Sequence, residues 1–215
     1  NPKVAIGHDK NGKIFLFKKL FPRKISIAYQ FGYIFDVAIS DQYKKQLKDK
    51  YVDYYFVYDK RSEKILKKFI KSKFLISGSL KANELLENKS KKKIYDITFI
   101  SNYRPINKNH NHPKITKYQN QHDSFLIEII SDYCKRNKLK FCVALSSSRK
   151  DKIQQNFYQN EIEFLKKFTS NFITENNNSY ELARKSNLCI GSFSNLAYEL
   201  LLGKKKVNVF YKEKK

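Results

Sequence analysis

Asn187-Leu188-Cys189-Ile190-Gly191-Ser192-Phe193-Ser194-Asn195-Leu196-Ala197-Tyr198-Glu199-Leu200-Leu201-Leu202-Gly203-Lys204-Lys205-Lys206-Val207-Asn208-Val209-Phe210 reads as strand, small polar turn, helix, glycine stop and strand. The apolar run ends in Gly191 and Ser192, and Ser194 is placed to cap a helix whose first turn has backbone N–H groups without intrahelical acceptors. Such a turn can hold a phosphate. Glu199 stands five residues after Ser194, a little more than one helical turn, so it can project near the same mouth and accept hydrogen bonds from ribose hydroxyls. Without that carboxylate the stretch would be an ordinary β-α-β unit.

The same alternation runs back along the chain. Apolar runs bounded by turn residues predict strands at 4–7, 25–29, 54–58, 74–76, 96–100, 141–145 and 172–174. Helices are predicted at 12–20, from Asp59 or Ser62 through 70, and at 81–87, 121–136, 153–168 and 179–185, with Phe125, Ile129, Ile130 and Tyr133 as the apolar face of 121–136. Strands alternating with helices imply an α/β fold with mostly parallel sheet covered on both faces, whose ligands bind beyond the carboxyl ends of the strands. The small polar turns fall there: Gln30-Phe31-Gly32, Ser77-Gly78-Ser79, residues 101–104, Ser146-Ser147-Ser148-Arg149 and residues 191–195. The lysine-rich stretch Lys89-Ser90-Lys91-Lys92-Lys93 reads as a linker, so the chain divides into 1–92 and 93–215, two Rossmann-like parallel-sheet halves expected to face a cleft.

The chain has 215 residues, 41% hydrophobic, which is enough for a real core in each half. Its formal charge of +24 attracts nucleic acid, anionic lipid and phosphorylated small molecules alike, so charge narrows a partner only to something negative. The lysines are scattered, which compositional bias alone would also produce. Cys134, Cys142 and Cys189 have no metal-ligand spacing and leave an odd count, so reduced, buried thiols are expected. His110 and His112 lie in Asn-His-Asn-His-Pro, where no third metal ligand is evident and a solvated loop is the simpler reading. No window approaches the run of roughly 18 to 20 apolar residues that spans a bilayer, and no signal-peptide pattern opens the chain, so a cytoplasmic protein is expected. There is no methionine, even at position 1, and the last strand ends abruptly, so the chain is expected to be truncated at one or both ends.

Taken in order, the strand before Gln30-Phe31-Gly32, the Tyr/Phe-rich strand with its helix, Ile76-Ser77-Gly78-Ser79-Leu80, Ile97-Thr98-Phe99-Ile100-Ser101 and the turn and helix from Gly191 to Glu199 resemble a family. They are similar to bacterial surface-carbohydrate biosynthesis proteins of the GT-B glycosyltransferase architecture, in layout to capsule Kdo transferases and to polyol-phosphate transferases that use CDP-glycerol. The similarity covers nearly the whole chain through short, degenerate motifs. The resemblance implies transfer of a sugar or related group from a nucleotide-activated donor to a cell-surface polysaccharide precursor. It makes 93–215 the donor half, with Ser192, Ser194 and Asn195 toward the phosphates, Glu199 toward the ribose or sugar, and Ser101, Arg104, Ser146 and Arg149 lining the same cleft. It makes 1–92 an incomplete acceptor half, with Gln30, Gly32, Gly78 and Ser79 on its side of the cleft. No metal or cofactor is implied, because helix N-termini and basic side chains can stabilise a leaving phosphate.

One position departs from the family. Relatives commonly read Gln-His-Gly where this chain has Phe31, and a phenyl ring cannot transfer a proton. An active chain would need another base, and His8, Asp9 and Asp36 are the candidates, none with supporting spacing. The alternatives are a non-catalytic or degenerate relative, and a basic nucleic-acid-binding protein, for which no recognisable motif is present. The expected partners are a nucleotide-sugar donor, a glycan acceptor and, through the lysines, peripheral contact with the anionic inner face of a membrane.

Overall fold

A computed structural model describes residues 2–9, 12–32, 47–79, 82–83, 93–106, 113–147, 155–169, 172, 174, 178–192, 194–203 and 206–209. The chain forms two compact units, Asn1–Glu84 and Leu85–Lys215. Each is an α/β unit built on a four-stranded, all-parallel sheet, the Rossmann-like layout expected from the alternation of strands and helices.

In the first unit the order in the sheet is β1 (Val4–His8), β2 (Ile25–Tyr29), β3 (Lys50–Val57) and β4 (Ile70–Ile76). Helices α1 (Lys13–Leu20) and α2 (Lys60–Leu66) accompany it. Ile14 and Phe15 of α1 pack with Ala28, Val52, Tyr55, Val57, Ile65 and Leu66 in one core. Val52 and Tyr55 are both buried although three residues apart, which strict alternation forbids; the ladder to β4 shifts register between Tyr51 and Tyr54 and turns the strand over. Asp59 caps α2 by accepting from Ser62 N at 2.6 Å. The helix expected to run through 70 stops at Leu66, because Ile70 is taken up as the buried first residue of β4.

The lower edge of this unit is tied by ionic bonds. Lys18, 8% exposed, donates to Pro22 O at 2.8 Å and Lys24 O at 2.9 Å and pairs with Asp53 Oδ1 at 2.8 Å. Asp53 Oδ2 accepts from Ser26 N at 2.7 Å and Ser26 Oγ at 2.9 Å. Partial burial would raise the Asp53 carboxyl, but the bonds from Lys18, Ser26 and Tyr51 outweigh it and hold the group down at about 2.

In the second unit the order is β6 (Phe141–Ala144), β5 (Tyr95–Ile100), β7 (Ser186–Gly191) and β8 (Val207–Val209). Its helices are α3 (Pro113–Arg136), α4 (Gln155–Lys166), α5 (Ser179–Arg184) and α6 (Asn195–Leu202). β6 is buried at every position, as expected of a parallel strand covered on both faces. Phe99, Ile127, Val143 and Leu165 centre one core, and Ile100, Ala183, Ala197 and Leu200 a second. The three cysteines are buried and form no disulfide, and burial, then Asp96, push the Cys134 thiol up to about 11.

The structure corrects three further expectations. α3 begins at Pro113, eight residues before the predicted start, with proline in the first turn where its missing N–H costs nothing. Its buried face is Thr116, Asn120, Asp123, Ile127, Ile130 and Cys134, a 3.6-residue stripe, while Phe125, Ile129 and Tyr133 are 60%, 49% and 49% exposed. The apolar residues misled because half of the inward stripe is polar. Phe172 and Thr174 are not in a strand; Phe172 packs on the Phe99 core from irregular chain. Among the described residues no helix is long and apolar enough to cross a membrane.

The Asp53 network has a pH signature. A carboxyl held below its unfolded value contributes stability that is complete above about pH 4 and lost as pH falls through about 2. Urea denaturation between those limits should show this loss in the wild type and a flatter profile in Asp53→Asn.

Candidate functional site

β5 is the first strand of its sheet, β6 lies on one side of it and β7 on the other. The chain reverses direction across the sheet between β5 and β7, and in open parallel sheets the crevice beyond the carboxyl ends of two such strands is where ligands bind. Ile100 closes β5 opposite Gly191, the last residue of β7. A Cβ at Gly191 would meet Ile100 Cβ at 3.2 Å and Ala197 Cβ at 3.6 Å. Glycine at this position therefore allows both the close approach of the strands and the seating of α6 beside them.

The floor of this crevice is supplied by two buried carboxylates. Asp123 of α3 accepts from Asn102 N at 2.7 Å through Oδ2 and from Ser192 Oγ at 2.6 Å through Oδ1, so one side chain joins the loop after β5 to the loop after β7. One turn earlier, Asn120 holds both backbone groups of Arg104, accepting from its N at 3.2 Å and donating to its O at 2.8 Å. Burial raises the Asp123 carboxyl; the Ser192 and Asn102 bonds lower it, Glu161 raises it and Arg104 lowers it, leaving it at about 6.

Glu161 of α4, fully buried, gathers the other loop. Its Oε1 accepts from Ser101 Oγ at 2.6 Å and Ser146 N at 2.9 Å, and its Oε2 from Ser147 N at 3.0 Å and Ser147 Oγ at 2.5 Å. Ser146 Oγ lies 3.1 Å from Oε1 and 2.9 Å from Tyr103 O. The hydroxyl protons of Ser192, expected toward the phosphates, and of Ser101 and Ser146, expected to line the cleft, are thus directed to acceptors inside the protein. A hydroxyl has one proton to give, so these three serines shape the loops.

Among the described residues of the loops after β5 and β7, the donors not directed to Asp123 or Glu161 include Arg104 and the amino end of α6. Arg104 is half-buried, its guanidinium 5.9 Å from the Phe157 ring centre, and among the described residues that group donates one hydrogen bond, from Nη1 to Tyr103 O at 2.9 Å. Tyr103 is itself stacked on Phe164 at 4.8 Å, which steadies the arginine's backbone. Ser194 occupies the N-cap of α6 with extended backbone and no cap bond from its side chain, and Asn195 beside it is exposed. Glu199 is turned inward at 3% exposure and accepts from the Tyr180 hydroxyl of α5.

In the first unit the candidate residues form their own set of clamps. Asp9, 4% exposed, accepts from Phe31 N at 3.1 Å and from the Tyr55 hydroxyl at 2.9 Å. Gln30, 3% exposed, donates to Gly32 O at 2.8 Å and accepts from Tyr58 N at 2.9 Å, fixing the Gln-Phe-Gly loop to β3. His8 ends β1 with its ring 4.8 Å from that of Phe31. Gly78 has φ +70°, and Ser79, 1% exposed, accepts from Ala82 N at 3.3 Å as a cap. Asp36, Arg149, His110 and His112 lie outside the described residues, and no cluster of three potential metal ligands occurs among those described.

Asp123, Glu161, Asn120 and Tyr180 were missed from the sequence. Each is a polar residue inside a helix, where nothing in the local pattern separates a solvated side chain from one aimed at a strand end.

A parallel α/β sheet with a strand-order reversal defines a Rossmann-like unit. Residues 30–214 match a family described as "putative O-antigen biosynthesis protein", and the chain belongs to that family. Its role therefore lies in surface-polysaccharide biosynthesis, as the order of motifs implied. The family description names no reaction and no donor. No curated protein matches the chain.

Two substitutions test the construction of the crevice. Glu161→Gln replaces one accepting oxygen by a donor and leaves loop donors unmatched, at an expected cost of about 2 to 4 kcal/mol in urea denaturation. Gly191→Ala should cost about 1 to 3 kcal/mol, since Ile100 must shift to admit the methyl group.

Proposed function

We propose that the chain is a metal-independent glycosyltransferase-like protein whose second unit binds a nucleotide-activated sugar or polyol in the β5/β7 crevice, for transfer to a surface-polysaccharide precursor. The observation that carries this reading is that Asp123 joins the loop bearing Arg104 to the loop that leads into the amino end of α6, one on each side of the reversal. A diphosphate needs donors on two sides and no carboxylate in direct contact. Here the guanidinium supplies one side, and Ser194, Asn195 and the first-turn N–H groups supply the other. As the sugar–phosphate bond breaks, charge grows on the leaving phosphate, and these preorganised donors stabilise it. Asn102 and Tyr103 are held by Asp123 and the aromatic stack, so Arg104 is presented without reorganisation.

A second reading, a non-catalytic relative, is favoured by the first unit. Asp9 and Gln30 are both committed to holding the loop that bears Phe31, which leaves His8 as the described base candidate on that rim. Peripheral attachment to anionic membrane through the scattered lysines is part of the proposal, motivated by the +24 charge. Co-sedimentation with liposomes that ignores anionic lipid would remove it.

A thermal-shift screen with CMP, CDP, UDP, GDP and their sugar or glycerol conjugates at moderate salt tests the main reading. One nucleotide should raise the melting temperature, and Arg104→Ala should weaken its binding by about tenfold or more with the fold intact. Binding without transfer to any glycan acceptor would select the non-catalytic relative, whereas no nucleotide response from a folded protein would sink the assignment of the crevice.

A further inference from the structure

Behind the crevice stands a buried carboxylate with no ion pair of its own among the described residues. Asp123 is 1% exposed, and its two oxygens take one donor from each lip, Asn102 N and Ser192 Oγ. The charged groups that bear on it are Glu161 from α4, which opposes its ionisation, and Arg104 from the loop after β5, which favours it; His122 adjoins it on α3. The cation that steadies the ionised form is thus the same guanidinium that the crevice offers to a ligand.

We propose that binding of an anion in the β5/β7 crevice is coupled to uptake of a proton by Asp123, an inference that rests on the crevice being the ligand site. An incoming phosphate or sulfate adds negative charge in front of a carboxylate already surrounded by low dielectric. It also draws Arg104 toward itself, and both changes favour the neutral acid.

The two hydrogen bonds respond differently to an incoming proton. Asn102 contributes a backbone N–H, which cannot reverse its direction. Ser192 contributes a hydroxyl, which can rotate from donor to acceptor. The proton therefore goes onto Oδ1, which then donates to Ser192 Oγ across the 2.6 Å contact while the serine hydroxyl turns its own proton away from Asp123, and Oδ2 keeps the bond from Asn102. Burial already holds the free group at about 6, so at neutral pH it is ionised yet close to protonation. A carboxyl whose pKa rises on binding takes up protons, and affinity then increases as pH falls toward that value.

Titration calorimetry of the wild-type protein with inorganic sulfate and with UDP-glucose, whose charges are constant over the range, reads the coupling directly. Buffers matched in pH but differing in ionisation heat should report uptake of roughly half a proton per anion near pH 7, with affinity rising about threefold per unit of acidification. Asp123→Asn should abolish both. Binding without proton uptake in the wild type, or uptake that persists in Asp123→Asn, overturns the coupling and leaves the crevice standing as a site. No binding of either probe at any pH overturns the site and the coupling together.

Should Asp123→Asn fail to fold, the Asn102 amide resonance of the wild type makes the assignment, because that N–H is bonded to the titrating carboxyl. Its titration midpoint should lie near 6 in the free protein and move upward in sulfate. A midpoint that sulfate leaves unmoved overturns the proposal, whatever anions bind elsewhere on so basic a chain.

Discussion

A carboxylate withdrawn from water must be met by donors, and the second unit is organised around two of them. Glu161 and Asp123 enter from different helices, and the loops after β5, β6 and β7 fold so that backbone N–H groups and serine hydroxyls converge on their oxygens. The chain at these strand ends would otherwise turn its amides toward solvent. Bound in this way it takes a single conformation, and that conformation decides where Arg104 and the amino end of α6 stand. Removing either anion leaves several buried donors without acceptors at once, which is why loops rather than strands are the sensitive part of this unit.

The first unit meets the same requirement with smaller networks. Asp9 and Gln30 each span two strand ends, and Asp53 with Lys18 closes the opposite edge. The two aspartates differ in the sign of their effect. Asp53 stands among donors and a lysine that outweigh its partial burial, so ionisation stabilises the fold. For Asp123 burial prevails over its two hydrogen bonds, so its contribution is greatest with the proton on, below about pH 4, and is lost as pH rises through about 6. A carboxyl kept in that condition is costly to stability when ionised, and what it contributes in return is the geometry it imposes on the two lips.

The chain belongs to a family described as putative O-antigen biosynthesis proteins, and both of its units are Rossmann-like parallel-sheet layouts. The structure also shows that serine hydroxyls at these strand ends have acceptors within the protein. A hydroxyl that donates to a buried carboxylate is spent on the fold, whereas among the described residues Arg104 and Ser194 donate to neither Asp123 nor Glu161.

Strand and helix alternation, and with it the α/β class, could be read from the sequence because apolar periodicity is local: the strand at 186–191, the helix after Ser194 and the Gly203 stop stand where the pattern puts them. The buried face of α3 could not, since Asn120 and Asp123 point inward only because distant strand ends need acceptors. Leu66 ending α2, and Ile70 opening β4, were likewise decided by pairing with β3, a contact local propensity does not encode. The sequence by itself determined which segments form layers and where polar turns fall. Only the tertiary structure decided which of those polar groups remain available to a ligand, because hydrogen-bond partners separated by 60 residues, such as Ser101 and Glu161, meet only when the chain has closed.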